Sequence, residues 1–114
     1  MSVHGYSRRS EELDHAILVG GRARGMARDV ARRIRAALSD AAVVDDRSSI
    51  PVGLRGLDPR NPVNRTAGGG VQLELPPRAR VIGRYGERPG AAPYRVRTRT
   101  LIATLARFAR DQAD

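Results

Sequence analysis

The sequence predicts an α/β domain. Three observations predict it: a continuous apolar run at residues 16–19 stopped by Gly20 and Gly21, a segment of helical spacing at residues 23–38, and a second short apolar run at residues 41–44. Strand, helix and strand in that order imply a right-handed crossover into a mostly parallel sheet. At 114 residues the chain is long enough for one modest domain, stable only if most of its elements share a core. Its aromatic residues are Tyr6, Tyr85, Tyr94 and Phe108, with no tryptophan. The core must therefore be built from Val, Leu, Ile and Ala, which suits strands covered by helices.

Residues 1–4 are short and β-compatible. They begin without the capping or turn residues that usually precede a first element, as expected of a strand end whose upstream half is missing. Ala16, Ile17, Leu18 and Val19 read as a strand buried on both faces and ended by a tight glycine turn. In residues 23–38 the apolar positions are Ala23, Met26, Ala27, Val30, Ala31, Ile34, Ala37 and Leu38. Arg24, Arg28, Asp29, Arg32 and Arg35 lie on the other side, which defines an amphipathic helix. Residues 41–44 read as another short strand.

Residues 48–70 carry Pro51, Gly53, Gly56, Pro59, Pro62 and the successive glycines 68–70, so they form a long irregular connection. Loops of this length inside a compact domain are uncommon and often functional. Val71, Leu73 and Leu75 then alternate with Gln72 and Glu74, a strand with one apolar and one polar face, ended by Pro76 and Pro77. Residues 78–93 are punctuated by Gly and Pro again. Residues 94–113 resume helical spacing through Leu101, Ile102, Leu105, Ala106 and Ala109, a closing helix on the sheet.

The absence of cysteine excludes disulfides and thiolate metal sites, leaving His, Asp and Glu as metal ligands. No apolar run is long enough for a signal peptide, and none approaches the roughly 20 residues of a membrane span, so the chain reads as soluble and, by default, cytoplasmic. The net charge of +9 arises from 21 basic and 12 acidic residues, and every basic residue is arginine. Arginine without lysine is what a GC-rich coding sequence would give, so charge alone does not imply a nucleic-acid partner. Guanidinium groups do suit carboxylates and phosphates, and a partner rich in either anion is physically sensible.

Among residues able to carry chemistry, Glu74 stands out, because a carboxylate inside an apolar strand is costly to bury unless it has a partner or faces a cleft. The alternative is a solvated edge-strand glutamate; the glycine-rich loop and Gln72 favour the cleft. His4, beside Gly5 at a strand end, can project into a crevice at the carboxyl edge of a sheet. His15 precedes an apolar run and carries no assigned role. Asn64 and Arg65 pair an amide with a guanidinium in the long loop, a combination suited to a substrate carboxylate. Glycines 68–70 lack the lysine and hydroxyl residue of a phosphate-binding loop, and no helix follows them.

As a set these residues resemble the poly-γ-glutamate hydrolases, a family similar in fold to the zinc carboxypeptidases. The resemblance rests on Val3-His4-Gly5-Tyr6, on Val19-Gly20-Gly21 ahead of a helix, on Leu57-Asp58-Pro59-Arg60-Asn61-Pro62-Val63-Asn64-Arg65 running through Gly68 into Gly70-Val71-Gln72-Leu73-Glu74-Leu75, and on Arg80. The block from Asn61 to Leu75 is its specific part. It covers nearly the whole chain but only the second half of the family. It implies a partial three-layer αβα domain on a mostly parallel or mixed sheet, one N-terminally incomplete domain over residues 1–114.

The resemblance further implies zinc, with His4 as one ligand and the other two, a His and a Glu from the family's first half, missing from this chain. It makes Glu74 the general base and brings Asn64, Arg65 and Arg80 near the substrate. The implied activity is hydrolysis of γ-glutamyl amide bonds in the anionic polymer poly-γ-glutamate, in bacterial or phage hands, with this chain an inactive fragment by itself. The competing reading is a small Arg-rich nucleic-acid-binding module, whose affinity would fall steeply with salt and need no metal. The scatter of the arginines and the scarcity of aromatics for base stacking rank it second.

Overall fold

The computed structural model describes residues 1–6, 16–58, 60–65, 68–79 and 92–113. Four strands form one mixed sheet: β1 (Ser2–Gly5), β2 (Ala16–Gly20), β3 (Ala42–Val44) and β4 (Gln72–Leu75), in the order β1-β4-β2-β3. β1 with β4 and β2 with β3 are parallel, and β2 with β4 is antiparallel. The described residues also form two α-helices, α1 (Arg24–Ala37) and α2 (Ala92–Ala113). All eight expected apolar positions of residues 23–38 fall within or at the ends of α1, and its inner face buries Ala27, Val30, Ala31 and Ile34.

The two-residue period of the strands divides the interior. Ile17 and Val19 of β2 and Leu73 and Leu75 of β4 share a core with the inner faces of α1 and α2, where Leu101, Leu105 and Phe108 are buried. Both helices therefore lie on one face of the sheet. Ala16 and Leu18 point to the opposite face and pack with Tyr6 and Ile50, with Val44 and Leu54 at the margin. The sheet and one helical layer of the expected αβα arrangement are thus present in these residues, and the second face is covered by the long connection.

Among the described residues of that connection, 45–71, are three short 3-10 turns, Arg47–Ser49, Val52–Leu54 and Pro62–Asn64. Its backbone is tied to the turn after β2: Gly21 donates its N–H to Arg55 O at 2.7 Å and Ala23 donates to Gly70 O at 3.1 Å. Gly21, at φ 95°, is required there, since a Cβ would run into the Gly70 carbonyl and L side chains rarely adopt that backbone. A peptide turn recognised in sequence as the end of a strand is also the anchor that lays the loop across the sheet.

Candidate active site

β1 and β4 pair in register as Ser2 with Gln72, Val3 with Leu73, His4 with Glu74 and Gly5 with Leu75. Paired residues of neighbouring strands present their side chains on the same face, so His4 and Glu74 stand side by side on the loop-covered face, near the carboxyl ends of both strands. Glu74 is 5% exposed; His4 is exposed. β4 lies between β1 and β2, so the solvated edge-strand alternative for Glu74 does not hold. The reason is topological: the chain returns after its long loop to insert β4 into the middle of the sheet.

A buried carboxylate needs compensating donors, and here one is supplied by Gln72, two residues earlier on the same strand face. Gln72 Nε2 donates to Glu74 Oε1 at 3.0 Å. Gln72 is itself buried, and its Oε1 accepts from Asn61 Nδ2 at 2.6 Å. Asn61 Oδ1 in turn accepts the backbone N–H of Val63 at 3.2 Å. Burial pushes the Glu74 carboxyl above its ordinary value of 4.5, while the nearby charge of His4 and the Gln72 hydrogen bond pull in the opposite direction. A carboxyl whose proton affinity is raised in this way is suited to accept a proton and later return it.

The structure separates the two loop residues paired in sequence. Asn64 is buried at 8% exposure, and its Nδ2 donates to Gly56 O at 2.6 Å and Asp58 O at 3.1 Å. Its Oδ1 is buried without a hydrogen-bond partner among the described residues. Asn64 therefore braces the loop, whereas Arg65 is exposed. Arg80 and His15 lie outside the described residues. Gly68 and Gly69 adopt φ 83° and 75° and lead into strand β4, so they turn the chain and open no helix.

Three participants escaped sequence reasoning as contributors in their own right. Gln72 registered only as a flank of Glu74, although two polar residues at strand spacing on one face are a signal that they interact. Asn61 is detectable as a capping residue, since it precedes Pro62 at the first position of a turn. Gly56 carries φ 66°, and a Cβ there would lie 2.9 Å from Gln72 Cβ. Only the folded structure brings it onto Gln72.

Among the described residues no three His, Cys, Asp or Glu side chains come close enough to hold a metal ion. These residues alone therefore do not make a zinc centre, and His4 offers one imidazole donor where a catalytic zinc needs about three protein ligands. The arginines are widely engaged elsewhere: Arg24 donates to Gly21 O and Asp45 O, Arg33 pairs with Asp29 and Asp111, Arg35 with Asp45, Arg60 with Asp58 and Arg97 with Asp40. No helix among the described residues is long and apolar enough to cross a membrane.

A family model described as poly-gamma-glutamate hydrolase matches residues 1–83. Two solved structures are similar: zinc-free apo YNDL, with TM-score 0.65 and 22% identity over 96% of this chain and 52% of that one, and a bacteriophage poly-gamma-glutamate hydrolase, with TM-score 0.58 and 21% identity over 94% of this chain and 51% of that one. At these identities the likeness shows the fold. The chain spans about half the length of either structure. No curated protein sequence matches significantly.

Proposed function

The chain belongs to the poly-γ-glutamate hydrolase family, and from that membership we propose that it carries the general base and one zinc ligand of an enzyme that hydrolyses γ-glutamyl amide bonds in poly-γ-glutamate. The observation that carries this reading is the register pairing of buried Glu74 with His4 on one face. Glu74 accepts a proton from the attacking water and hands it to the departing amine, one carboxyl acting as base and then as acid. Zinc, when bound, supplies Lewis acidity and lowers the pKa of water. His4 would be one of its ligands, and two more would have to come from polypeptide outside these residues in the whole enzyme. This chain is inactive without them.

Each unit of the substrate bears a free α-carboxylate. Arg65, exposed on the loop, and Arg80 meet those carboxylates through charge-assisted, bidentate bonds, and Asn64 contributes by holding the loop that carries Arg65. The test is to express the chain with and without the upstream polypeptide and to measure zinc content and release of glutamate oligomers. The extended form should bind zinc and release oligomers, and the shorter one should do neither. Glu74→Gln in the extended form should abolish turnover while zinc content stays the same. Turnover that survives the substitution removes Glu74 from the mechanism.

A further inference from the structure

The hydrogen bonds that lead to Glu74 run in one direction only. The series starts at the backbone N–H of Val63, which can only donate, so Asn61 must turn its Oδ1 towards it. That choice leaves Nδ2 of Asn61 to face Gln72, which must answer with Oε1. Gln72 is then left with Nε2 for Glu74 Oε1. Reversing either amide would set oxygen against oxygen or N–H against N–H at contacts that are part-buried at Asn61 and buried at Glu74, where an unmatched polar contact is costly. The side-chain orientation at Glu74 is thus decided by a peptide group eleven residues before it in sequence.

Packing holds the middle of this series still. Gly56 closes over the Gln72 side chain so tightly that an added Cβ would sit 3.0 Å from Cδ and 3.2 Å from Oε1 of Gln72. Gly56 is itself held by Asn64, whose Nδ2 donates to its carbonyl at 2.6 Å. On the far side of Glu74 stands its register partner His4. The carboxylate is therefore bounded by a polarity-locked donor along its own strand and an imidazole across the ladder.

We infer that Asn61 and Gln72 are positioning residues for the reaction: together they form a one-way relay that fixes the rotation of the Glu74 carboxylate by engaging Oε1, and leave Oε2 to take the proton. The inference rests on Glu74 being the general base. It adds that the base works only while Gln72 presents a donor, and that Asn61 enforces this from the loop.

The test exploits the directionality and uses the extended, zinc-loaded polypeptide throughout. Asn61→Asp keeps shape and still accepts from Val63, but removes the donor to Gln72. Gln72 must then flip its amide, turning an oxygen towards Glu74. The relay predicts a roughly 10- to 100-fold fall in kcat, the usual range for partners behind a metal site, with KM and zinc content little changed, and a lowered melting temperature. Adding Glu74→Gln restores complementarity, because the new amide donates to the flipped Gln72. The double variant N61D/E74Q should therefore melt close to E74Q alone, so that the loss caused by N61D disappears in that background, although it stays inactive. If N61D alone is too unstable to purify, a double variant that melts at the temperature of E74Q alone supports the relay, and one that melts well below E74Q overturns it.

Full activity in N61D overturns the relay, and so does a destabilisation by N61D that is the same whether or not E74Q is also present. Activity that survives in E74Q alone defeats instead the reading on which it rests. A uniform rise in KM with kcat unchanged would show that Asn61 merely shapes the loop, and would also overturn the inference.

Discussion

At the scale of single residues, the strongest consequence concerns charge at Glu74. Folding raises its pKa above the ordinary 4.5 mainly through burial, so the folded protein favours the protonated form. The stability associated with this group is full below pH 4.5, the ordinary value, and is lost as pH rises through the higher folded-state value. Glu74→Gln retains an acceptor for Gln72 and removes the charge. It should therefore melt at a higher temperature than the native protein at neutral pH, and the gap should close as the pH is lowered past the carboxyl range. A pair of melting curves against pH checks this, and a native protein that becomes relatively less stable on acidification would contradict it.

Another residue-scale case is Gly21, which joins β2 to α1 while receiving the long loop. Its positive φ and the nearness of the Gly70 carbonyl leave no room for a methyl group. Gly21→Ala should destabilise the fold by about 1–3 kcal/mol, the usual cost of enforced backbone strain, outweighing the ~0.4–1 kcal/mol that lower chain entropy contributes. Urea unfolding measures the difference. The same substitution should loosen the loop that carries Asn61, so turnover is expected to fall with it.

Among elements, the contact between α1 and α2 explains how the helical face is closed. Phe108 of α2 is 1% exposed, with the Arg33 guanidinium of α1 5.5 Å from its ring centroid, and Arg33 also bonds Asp111 at 2.5 Å. Truncating this ring removes the largest fully buried side chain in the protein's described interior. Phe108→Ala should cost about 3–5 kcal/mol, read as a lowered urea midpoint. Because α2 covers the face opposite Glu74, any protein that still folds should keep kcat nearly unchanged, which separates helix packing from site geometry.

Elements also differ in how plainly the sequence announces them. The buried strand β2, the amphipathic α1 and the alternating β4 follow from side-chain periodicity, which is local and survives in any context. The pairing of those strands does not. β4 lies parallel to β1 and antiparallel to β2, an arrangement set by the path of the loop between β3 and β4. Nothing within the five residues 71–75 encodes which neighbours they will have.

For the whole molecule, the net charge of +9 bears on association with a polyanion more than on fold. Several arginines are committed to internal partners, yet their charge still contributes to the long-range field. KM for poly-γ-glutamate in the extended enzyme should therefore rise with ionic strength, while kcat stays nearly constant, since screening acts on exposed charges over about 8–10 Å. Steady-state kinetics across a salt series reads both parameters. A KM independent of salt would mean that the arginines do not draw the polymer towards the enzyme.

The sequence by itself determined the α/β class, the succession of strands and helices, the aliphatic core and the conspicuous carboxylate at position 74, because these depend on residue type and local spacing. The motif joining Asn61 to Leu75 also made the family resemblance legible. Only tertiary structure decided that Glu74 would be interior, that His4 would be its register partner, that Asn64 would brace a loop, and that Asn61 and Gln72 would face one another. Those outcomes depend on strand order and hydrogen-bond polarity between segments distant along the chain. Such relations exist only once the loop has closed over the sheet and water has been excluded from between them.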